Sequence, residues 1–208
     1  MYARKIDFDG SSVWSEDTRL YRAGWPGNMP AWSLINVEPS GDGGALVAWN
    51  DDRFLTGMAT YMTYVKGNGE IGFAAGVDGQ KLSYGDYLGA NAVCKYDPHT
   101  DSFLAVWREA YSAVMFRTMA QRLSKDGELL WGENALELRP LTPVRYGYQS
   151  VQLGVPGEVA FFYMENESGT YAGGVKTTAT VINVNDTTLR RENDFTACEN
   201  STPKQNLR

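Results

Sequence analysis

The sequence predicts an all-β protein built from repeated four-stranded antiparallel units, and three observations lead to this prediction. Strong hairpin dipeptides recur at Asp9-Gly10, Asn68-Gly69 and Asp126-Gly127, and Asn185-Asp186 fills a fourth, weaker place. The second residues of these pairs stand at 10, 69, 127 and 186, so their spacings are 59, 58 and 59 residues. The segments between the turns alternate apolar and polar residues, as half-buried strands do.

The flanks of the turns repeat with the same period. An aliphatic residue lies four positions before each second turn residue, and these residues are Ile6, Val65, Leu123 and Ile182. An aromatic residue lies four positions after it in the first three copies, which places Trp14, Phe73 and Trp131 there and leaves Arg190 in the last copy. A further strand ends at Trp49, Trp107 and Tyr163. Each unit therefore contains four strands in about 58 residues.

Repeats of roughly 40–50 residues with four antiparallel strands are typical of β-propeller blades, so we predict a β-propeller-type array. In chain order the prediction has a partial blade over 1–20, full blades over 33–82, 90–138 and 148–197, and the start of a further blade at 204–208, within a single domain over 1–208. This makes about 3.6 units, whereas propellers usually close with four to eight blades. We therefore expect a partial propeller that continues in a longer polypeptide or closes by self-association, with a compact four-bladed ring as the alternative.

Two segments resemble a known repeat. They are GGALVAWNDDR at Gly43–Arg53 and AQRLSKDGELLWGENALEL at Ala120–Leu138. They are similar to the units of secreted bacterial β-propeller-like repeat proteins, which read GGxxVAWxDxR and AQRxxxxGxxxWG. The last copy departs from this pattern, with Tyr163 for the first tryptophan and Arg190 and Arg191 for the tryptophan-glycine pair. The resemblance implies a propeller fold and an extracellular or cell-surface location, although the opening MYARKIDFDG is not a signal peptide.

Composition and charge exclude several classes of function. A net charge of −6 with no basic cluster argues against a nucleic-acid surface. No apolar run approaches the roughly 18 residues needed to span a membrane. The two cysteines, Cys94 and Cys198, are too few for a disulfide framework, and the sequence leaves open whether they pair. His99 is the one histidine, so a histidine-based metal cluster cannot form. No cofactor is expected, and calcium is left open because loop carboxylates and carbonyls are plentiful.

The aromatic residues that recur with the repeat are expected to fill the layers between blades. Asp51, Glu109 and Glu165 each follow a predicted second strand by two residues. Such carboxylates act as turn acceptors or partners for an arginine such as Arg53. The alternative is that two of them form the acid and base of a glycoside hydrolase.

One end of the predicted blades carries the candidate binding residues. In an up-and-down blade, the loops that follow second and fourth strands lie at the same end, and we expect aromatic and acidic side chains there. The aromatic candidates are Trp25, Trp32, Tyr84, Tyr87, Tyr146 and Tyr148, and the acidic ones are Asp51, Asp52, Glu109, Glu165 and Glu167. Exposed aromatics beside carboxylates suit sugar rings, whereas the alternative is that these rings cover the ends of the blades.

The sequence thus predicts a non-catalytic propeller segment that binds a glycan or a protein through this loop face. One alternative is a carbohydrate-active enzyme that uses carboxylates such as Asp51 and Glu109. The other is a purely structural scaffold.

Overall fold

The structure is a computed structural model that describes residues 1–22, 34–55, 57–83, 87–113, 115–143, 145–153, 155–166, 175–185 and 195–200. Its strands are β1 (Tyr2–Ala3), β2 (Thr18–Arg19), β3 (Asn36–Pro39), β4 (Ala45–Asp51), β5 (Ala59–Val65), β6 (Gln80–Lys81), β7 (Leu88–Asp97), β8 (Ser102–Ala110), β9 (Phe116–Leu123), β10 (Leu136–Thr142), β11 (Arg145–Leu153), β12 (Glu158–Asn166), β13 (Val175–Asn183) and β14 (Phe195–Asn200). Within these residues the helical content is one 3₁₀ turn, Gly76–Asp78. The prediction of an all-β fold is confirmed.

The sheets are antiparallel, and their strand order follows the chain. β1 pairs with β2 in a two-stranded sheet, and four-stranded sheets follow in the orders β3-β4-β5-β6, β7-β8-β9-β10 and β11-β12-β13-β14. Every pairing joins strands that are consecutive in the chain, which is the simplest way to build an antiparallel sheet. Each four-stranded sheet is therefore an up-and-down meander.

The hairpin turns lie where the sequence predicts them, but their type differs from the predicted two-residue type I′ turn. Gly10, Gly69 and Gly127 have φ values of 84°, 91° and 90°, whereas the Asp or Asn before each glycine is not among the residues with positive φ. Lys66 N donates to Glu70 O at 2.8 Å, and Gly69 N donates to Lys66 O at 2.9 Å. These bonds enclose a three-residue loop, a type I turn followed by a left-handed glycine. Only the glycine position needs the left-handed conformation.

The second strands β4 and β8 pack on both of their faces, because their side chains alternate between two sides of the sheet. In β4, Leu46 and Ala48 belong to the core shared with the β7–β10 sheet. Val47 and Trp49 belong instead to the core shared with the β1–β2 sheet. The fully apolar segment ALVAW is therefore a central strand between two layers.

The recurrent aromatic side chains fill these layers, as predicted. Five of the six are buried, namely Trp14, Trp49, Phe73, Trp107 and Tyr163, at 7% exposure or less. Trp131 is partly buried and packs against the core between the second and third four-stranded sheets. Burying one large apolar side chain contributes about 1.5–3 kcal/mol, so these layers are a main source of stability.

Three predicted strand limits are wrong, because the ladders extend further than the apolar runs. Asp51 is the last residue of β4, and Glu109 and Glu165 lie inside β8 and β12 rather than in loops. Past Trp107, the β8–β9 ladder continues through the pairs Arg108↔Thr118, Glu109↔Arg117 and Ala110↔Phe116. A charged residue can extend a strand when its neighbour on the next strand has the opposite charge.

Two candidate binding residues that were predicted to lie in a loop also belong to a strand. Tyr146 and Tyr148 belong to β11 and not to the loop before it. β11 begins at Arg145, which pairs with Asn166, and Tyr146 pairs with Glu165. The predicted loop between 139 and 148 is mostly strand, because β10 continues to Thr142.

Candidate functional site

A buried carboxylate lies at the end of β4, where the strand meets the loop to β5. Asp51 accepts a hydrogen bond from the Trp49 indole Nε1 at 2.7 Å. Arg53 donates to the same carboxylate from Nε at 2.8 Å and from Nη2 at 2.6 Å. Asp51 is 0% exposed and Arg53 is 2% exposed, so the pair is removed from water and geometrically fixed. Arg53 is the partner that the sequence predicts for Asp51.

Aromatic rings close this pair off from solvent. The Arg53 guanidinium carbon lies 3.6 Å from the Tyr61 ring centroid and 5.3 Å from that of Tyr21. Burial raises the pKa of Tyr61 to about 12, and burial together with the nearby Asp51 raises the pKa of Tyr21. Arg53 Nη1 also donates to the Asp78 carbonyl at 2.8 Å. The contacts of Arg53 therefore connect β4, β5 and the 3₁₀ turn.

A similar arrangement occurs in the next sheet. Glu109 Oε1 accepts a hydrogen bond from the Trp107 indole Nε1 at 2.8 Å. Its Oε2 pairs with Arg117, at 2.8 Å from Nε and 2.6 Å from Nη2. Arg117 comes from β9, directly opposite Glu109 in the ladder. Its Nη1 also lies 3.6 Å from a Glu137 carboxylate oxygen, which links β10 to the same cation.

Arg117 connects this buried pair to the surface. Its guanidinium carbon lies 3.9 Å from the Tyr87 ring centroid, a cation–π contact. The Tyr87 ring lies against the Tyr111 ring, with centroids 5.8 Å apart and planes at 56°. Tyr111 is 65% exposed. The two tyrosines therefore form a surface platform with a fixed cation beneath it.

The β4–β5 loop lies beside the residues that follow Tyr87. Gly89 N donates to Met58 O at 2.7 Å, and a Cβ on Gly57 would lie 3.3 Å from Leu88 Cδ2. Leu88, the residue after Tyr87, is 47% exposed. We call the surface formed by Tyr87 and Tyr111 the tyrosine face. Clusters of exposed apolar side chains on a soluble protein commonly mark a binding surface.

The structure joins some of the predicted site residues and separates others. Tyr87 and Glu109 are linked through Arg117. Asp51 lies in a different sheet, and Asp52 accepts the Gly57 N–H at 3.1 Å and so acts as a turn acceptor. Glu165, Tyr146 and Tyr148 are strand residues. Trp25, Trp32, Tyr84 and Glu167 lie outside the described residues.

The sequence prediction missed Tyr111 and Arg117. It searched the connections between units for aromatics but searched the second-to-third loops only for acids. Tyr111 directly follows β8. Aromatic residues in the second-to-third loops are the sequence signal that points to Tyr111. The role of Arg117 depends on strand register, and no sequence motif marks it.

Metal-ligating residues do not gather in the described ranges, where no group of three or more His, Cys, Asp or Glu side chains could hold an ion. His99 is exposed, and its backbone N–H donates to Asp97 Oδ1 at 3.0 Å in a turn. Cys94 is a buried free thiol, and burial raises its pKa. In the part of the chain that the structure describes, no helix is long and apolar enough to cross a membrane.

Comparisons with known proteins show a likeness in fold. No protein-family model matches the chain, and no curated protein matches it. Among solved structures it is similar to one described as "The crystal structure of endo-arabinase from Bacteroides thetaiotaomicron VPI-5482", with a TM-score of 0.54 at 11% identity. The match covers 82% of this chain and 62% of that chain, so this chain spans less than two thirds of the neighbour's length. At this identity the likeness shows a shared all-β fold.

Proposed function

We propose that the chain is a segment of an extracellular β-propeller-type repeat protein that binds carbohydrate, without catalysis, through the tyrosine face. The propeller assignment is supported by consecutive four-stranded meanders with shared cores and by the likeness in fold to an endo-arabinase. The carbohydrate assignment rests on one observation. Tyr111 is 65% exposed and lies against Tyr87, which Arg117 holds from below.

The geometry of this platform suits a sugar ring. Aromatic faces present a large, rigid apolar area on which the C–H groups of a sugar can stack. Arg117 is held by the buried Glu109, so Tyr87 is ordered before a ligand arrives and less entropy is lost on binding. Glu137 lies beside Arg117, and its side chain is 39% exposed, so a carboxylate is within reach of ligand hydroxyl groups.

A binding test on soluble polysaccharides addresses this proposal. We expect retarded migration of the protein in native gels that contain the recognised polysaccharide. Tyr111→Ala should weaken binding at least about tenfold, because stacked aromatics dominate such contacts. Tyr2→Ala is the matched control, since Tyr2 is 64% exposed but belongs to β1. If no polysaccharide binds, or if both variants lose binding equally, the tyrosine face is not a carbohydrate site.

A second candidate is glycoside hydrolysis, favoured by the name of the structural neighbour. A hydrolase of the usual kind needs two carboxylates about 5–10 Å apart in an open cleft. Asp51 and Glu109 are 0% and 1% exposed, and each is bonded to a tryptophan and an arginine of its own sheet. We therefore expect no release of reducing sugar from arabinan. Turnover that Glu109→Gln abolishes, with folding intact, would favour the enzyme instead.

A further inference from the structure

Arg117 lies beneath the tyrosine face and contacts two carboxylates. Its Nε donates to Glu109 Oε2 at 2.8 Å, and its Nη2 lies 2.6 Å from the same oxygen. Its Nη1 lies 3.6 Å from a carboxylate oxygen of Glu137. One cation therefore faces two carboxylates, so the group beneath Tyr87 carries a net negative charge. The whole chain is acidic as well, with a net charge of −6.

Two further arginines of this sheet lie on its other face. Arg108 directly precedes Glu109 in β8, so the two side chains leave opposite faces of the sheet. The guanidinium carbon of Arg108 lies 5.2 Å from the Phe116 ring centroid, and that of Arg139 lies 5.4 Å from the Tyr163 ring centroid. Phe116 and Tyr163 share a core between this sheet and the next one. These two cations therefore do not offset the negative charge beneath the tyrosine face.

Glu137 is the carboxylate of this group that a ligand can reach. Its side chain is 39% exposed, whereas that of Glu109 is 2% exposed. Glu137 pairs with Met119, which follows Arg117 by two residues on β9, so Glu137 and Arg117 lie on the same face of the sheet. The 3.6 Å between them is an ion-pair distance and is too long for a hydrogen bond. The Glu137 oxygen can therefore still accept a hydrogen bond from a ligand hydroxyl group.

The fold does not require an acidic residue at position 137. Glu137 pairs with Met119, and Lys81 pairs with Tyr61 in the β5–β6 ladder. Tyr61 and Met119 are 58 residues apart, the repeat period, so Lys81 is the counterpart of Glu137. The same strand position holds a lysine in one sheet and a glutamate in the next. The negative charge of Glu137 is therefore a property of this surface and not of the repeat.

We propose that the tyrosine face selects uncharged sugar residues over acidic ones and that Glu137 determines this selection, an inference that rests on the carbohydrate-binding function proposed above. A hydroxyl group of the sugar donates to Glu137 while the ring stacks on the tyrosines. A uronate or sulfate group at the same place meets a charge of its own sign and loses hydration without gaining a donor from Glu137. Specificity of this kind comes from repulsion of the wrong ligand as well as from attraction of the right one.

Native gels that contain neutral or acidic polysaccharides test the selection. The neutral probes are arabinan, galactan and glucomannan, and the acidic probes are polygalacturonate, alginate and carboxymethyl cellulose. We expect at least one neutral probe to retard the protein and no acidic probe to do so. Retardation by no probe would contradict both the carbohydrate-binding function and its selectivity. Equal retardation by neutral and acidic probes would overturn the selectivity alone.

Two substitutions at position 137 test the role of Glu137. Glu137→Gln should weaken binding of the neutral polysaccharide about three- to tenfold, because an amide is a weaker acceptor than a carboxylate. Glu137→Lys should weaken it further and should allow polygalacturonate to retard the protein, because the charge beside the tyrosines is then positive. Lysine occurs at the equivalent position in the β3–β6 sheet, so this variant should keep the wild-type unfolding midpoint.

The same substitutions at Glu128 are the matched controls. Glu128 is exposed and lies in the β9–β10 turn, beyond the end of β9 that is far from Arg117. Glu128→Gln and Glu128→Lys make the same changes in net charge and should bind both classes of polysaccharide as the wild type does. The role of Glu137 is overturned if the variants at the two positions behave alike, or if Glu137→Lys folds but still excludes polygalacturonate.

Discussion

The β3–β6 and β7–β10 sheets hold equivalent buried carboxylates with arginines from different places. In both sheets the second strand carries a tryptophan whose indole donates to the carboxylate two residues later, Asp51 or Glu109. In the first, Arg53 follows its carboxylate by two residues. In the second, Arg117 comes from the neighbouring strand. The indole and the carboxylate therefore occupy the same positions in both repeat units, whereas the arginine comes from a different position in each.

The position of the arginine in the chain decides which of the two carboxylate–arginine pairs reaches the protein surface. Arg53 is 2% exposed and lies among the rings of Tyr21 and Tyr61. The Arg117 side chain is 16% exposed and extends towards Tyr87. An arginine on the neighbouring strand can therefore contact both a buried carboxylate and an aromatic ring at the surface. The same motif is fully buried in the β3–β6 sheet, whereas in the β7–β10 sheet it contacts the surface tyrosine pair.

The largest expected effect is the removal of the enclosed carboxylate. Asp51→Asn leaves the buried Arg53 without its counter-charge and should lower the free energy of unfolding by about 3–5 kcal/mol. Glu109→Gln should cost less, about 1–3 kcal/mol, because Arg117 is partly solvated and also lies near Glu137. Urea unfolding measures both, with the exposed Asp126→Asn as the control. Equal losses at Asp51 and Glu109 would contradict the comparison.

The indoles should contribute equally in the two sheets. Trp49→Phe and Trp107→Phe each remove one indole hydrogen bond to a carboxylate and some buried apolar area. We expect each to lower the free energy of unfolding by about 1–3 kcal/mol, since both indoles occupy the same repeat position. Thermal unfolding of the two variants is the measurement. A much larger loss for one would show that the sheets differ in more than the cation.

The smallest expected effect is a pH dependence at the opposite end of the sheets. Burial alone would raise the pKa of Asp42, but hydrogen bonds from Ser40, Tyr64 and the Gly44 and Gly67 amides lower it to about 2 from 3.8. Because the folded pKa lies below the unfolded one, this stabilisation is full above about pH 4 and is lost as the pH falls towards 2. Asp42→Asn should therefore reduce the fall in unfolding midpoint between pH 6 and pH 3.

The corresponding turn of the next sheet provides a second carboxylate, Asp101, with which Asp42 can be compared. Hydrogen bonds from Lys125 and Tyr96 also lower the pKa of Asp101, but Asp101 lies in an exposed turn. Water and salt screen such a group, so Asp101→Asn should change the acid sensitivity less than Asp42→Asn does. The comparison fails if Asp101→Asn has the larger effect.

Local pattern predicted the strands and the hairpins well, because both depend on neighbouring residues. The glycines at 10, 69 and 127 mark the turns, since only they take positive φ there. The exact strand ends were predicted less well. Glu109 looked like a loop residue because it follows an apolar run, and only its pairing with Arg117 on β9 explains why the strand continues.

The candidate site depended more heavily on contacts between distant residues. Tyr87 precedes β7 and Tyr111 follows β8, and their contact requires the loops of two connections to meet at one end of the sheet. Tyr87 was predicted from its loop position, but Tyr111 was missed. No local sequence pattern indicates which aromatic side chains from different loops contact each other.

By itself, the sequence determined the all-β class, the period of about 58 residues and the residues that alternate towards the cores. Alternation and turn chemistry act over a few residues, so they can be read without the fold. The tertiary structure alone decided that Arg117 joins Glu109 and which repeat positions remain uncovered. Val37 and Cys94 occupy equivalent places, yet one is 59% and the other 0% exposed. Burial depends on whether a neighbouring sheet supplies a strand, and that is a property of the assembled layers.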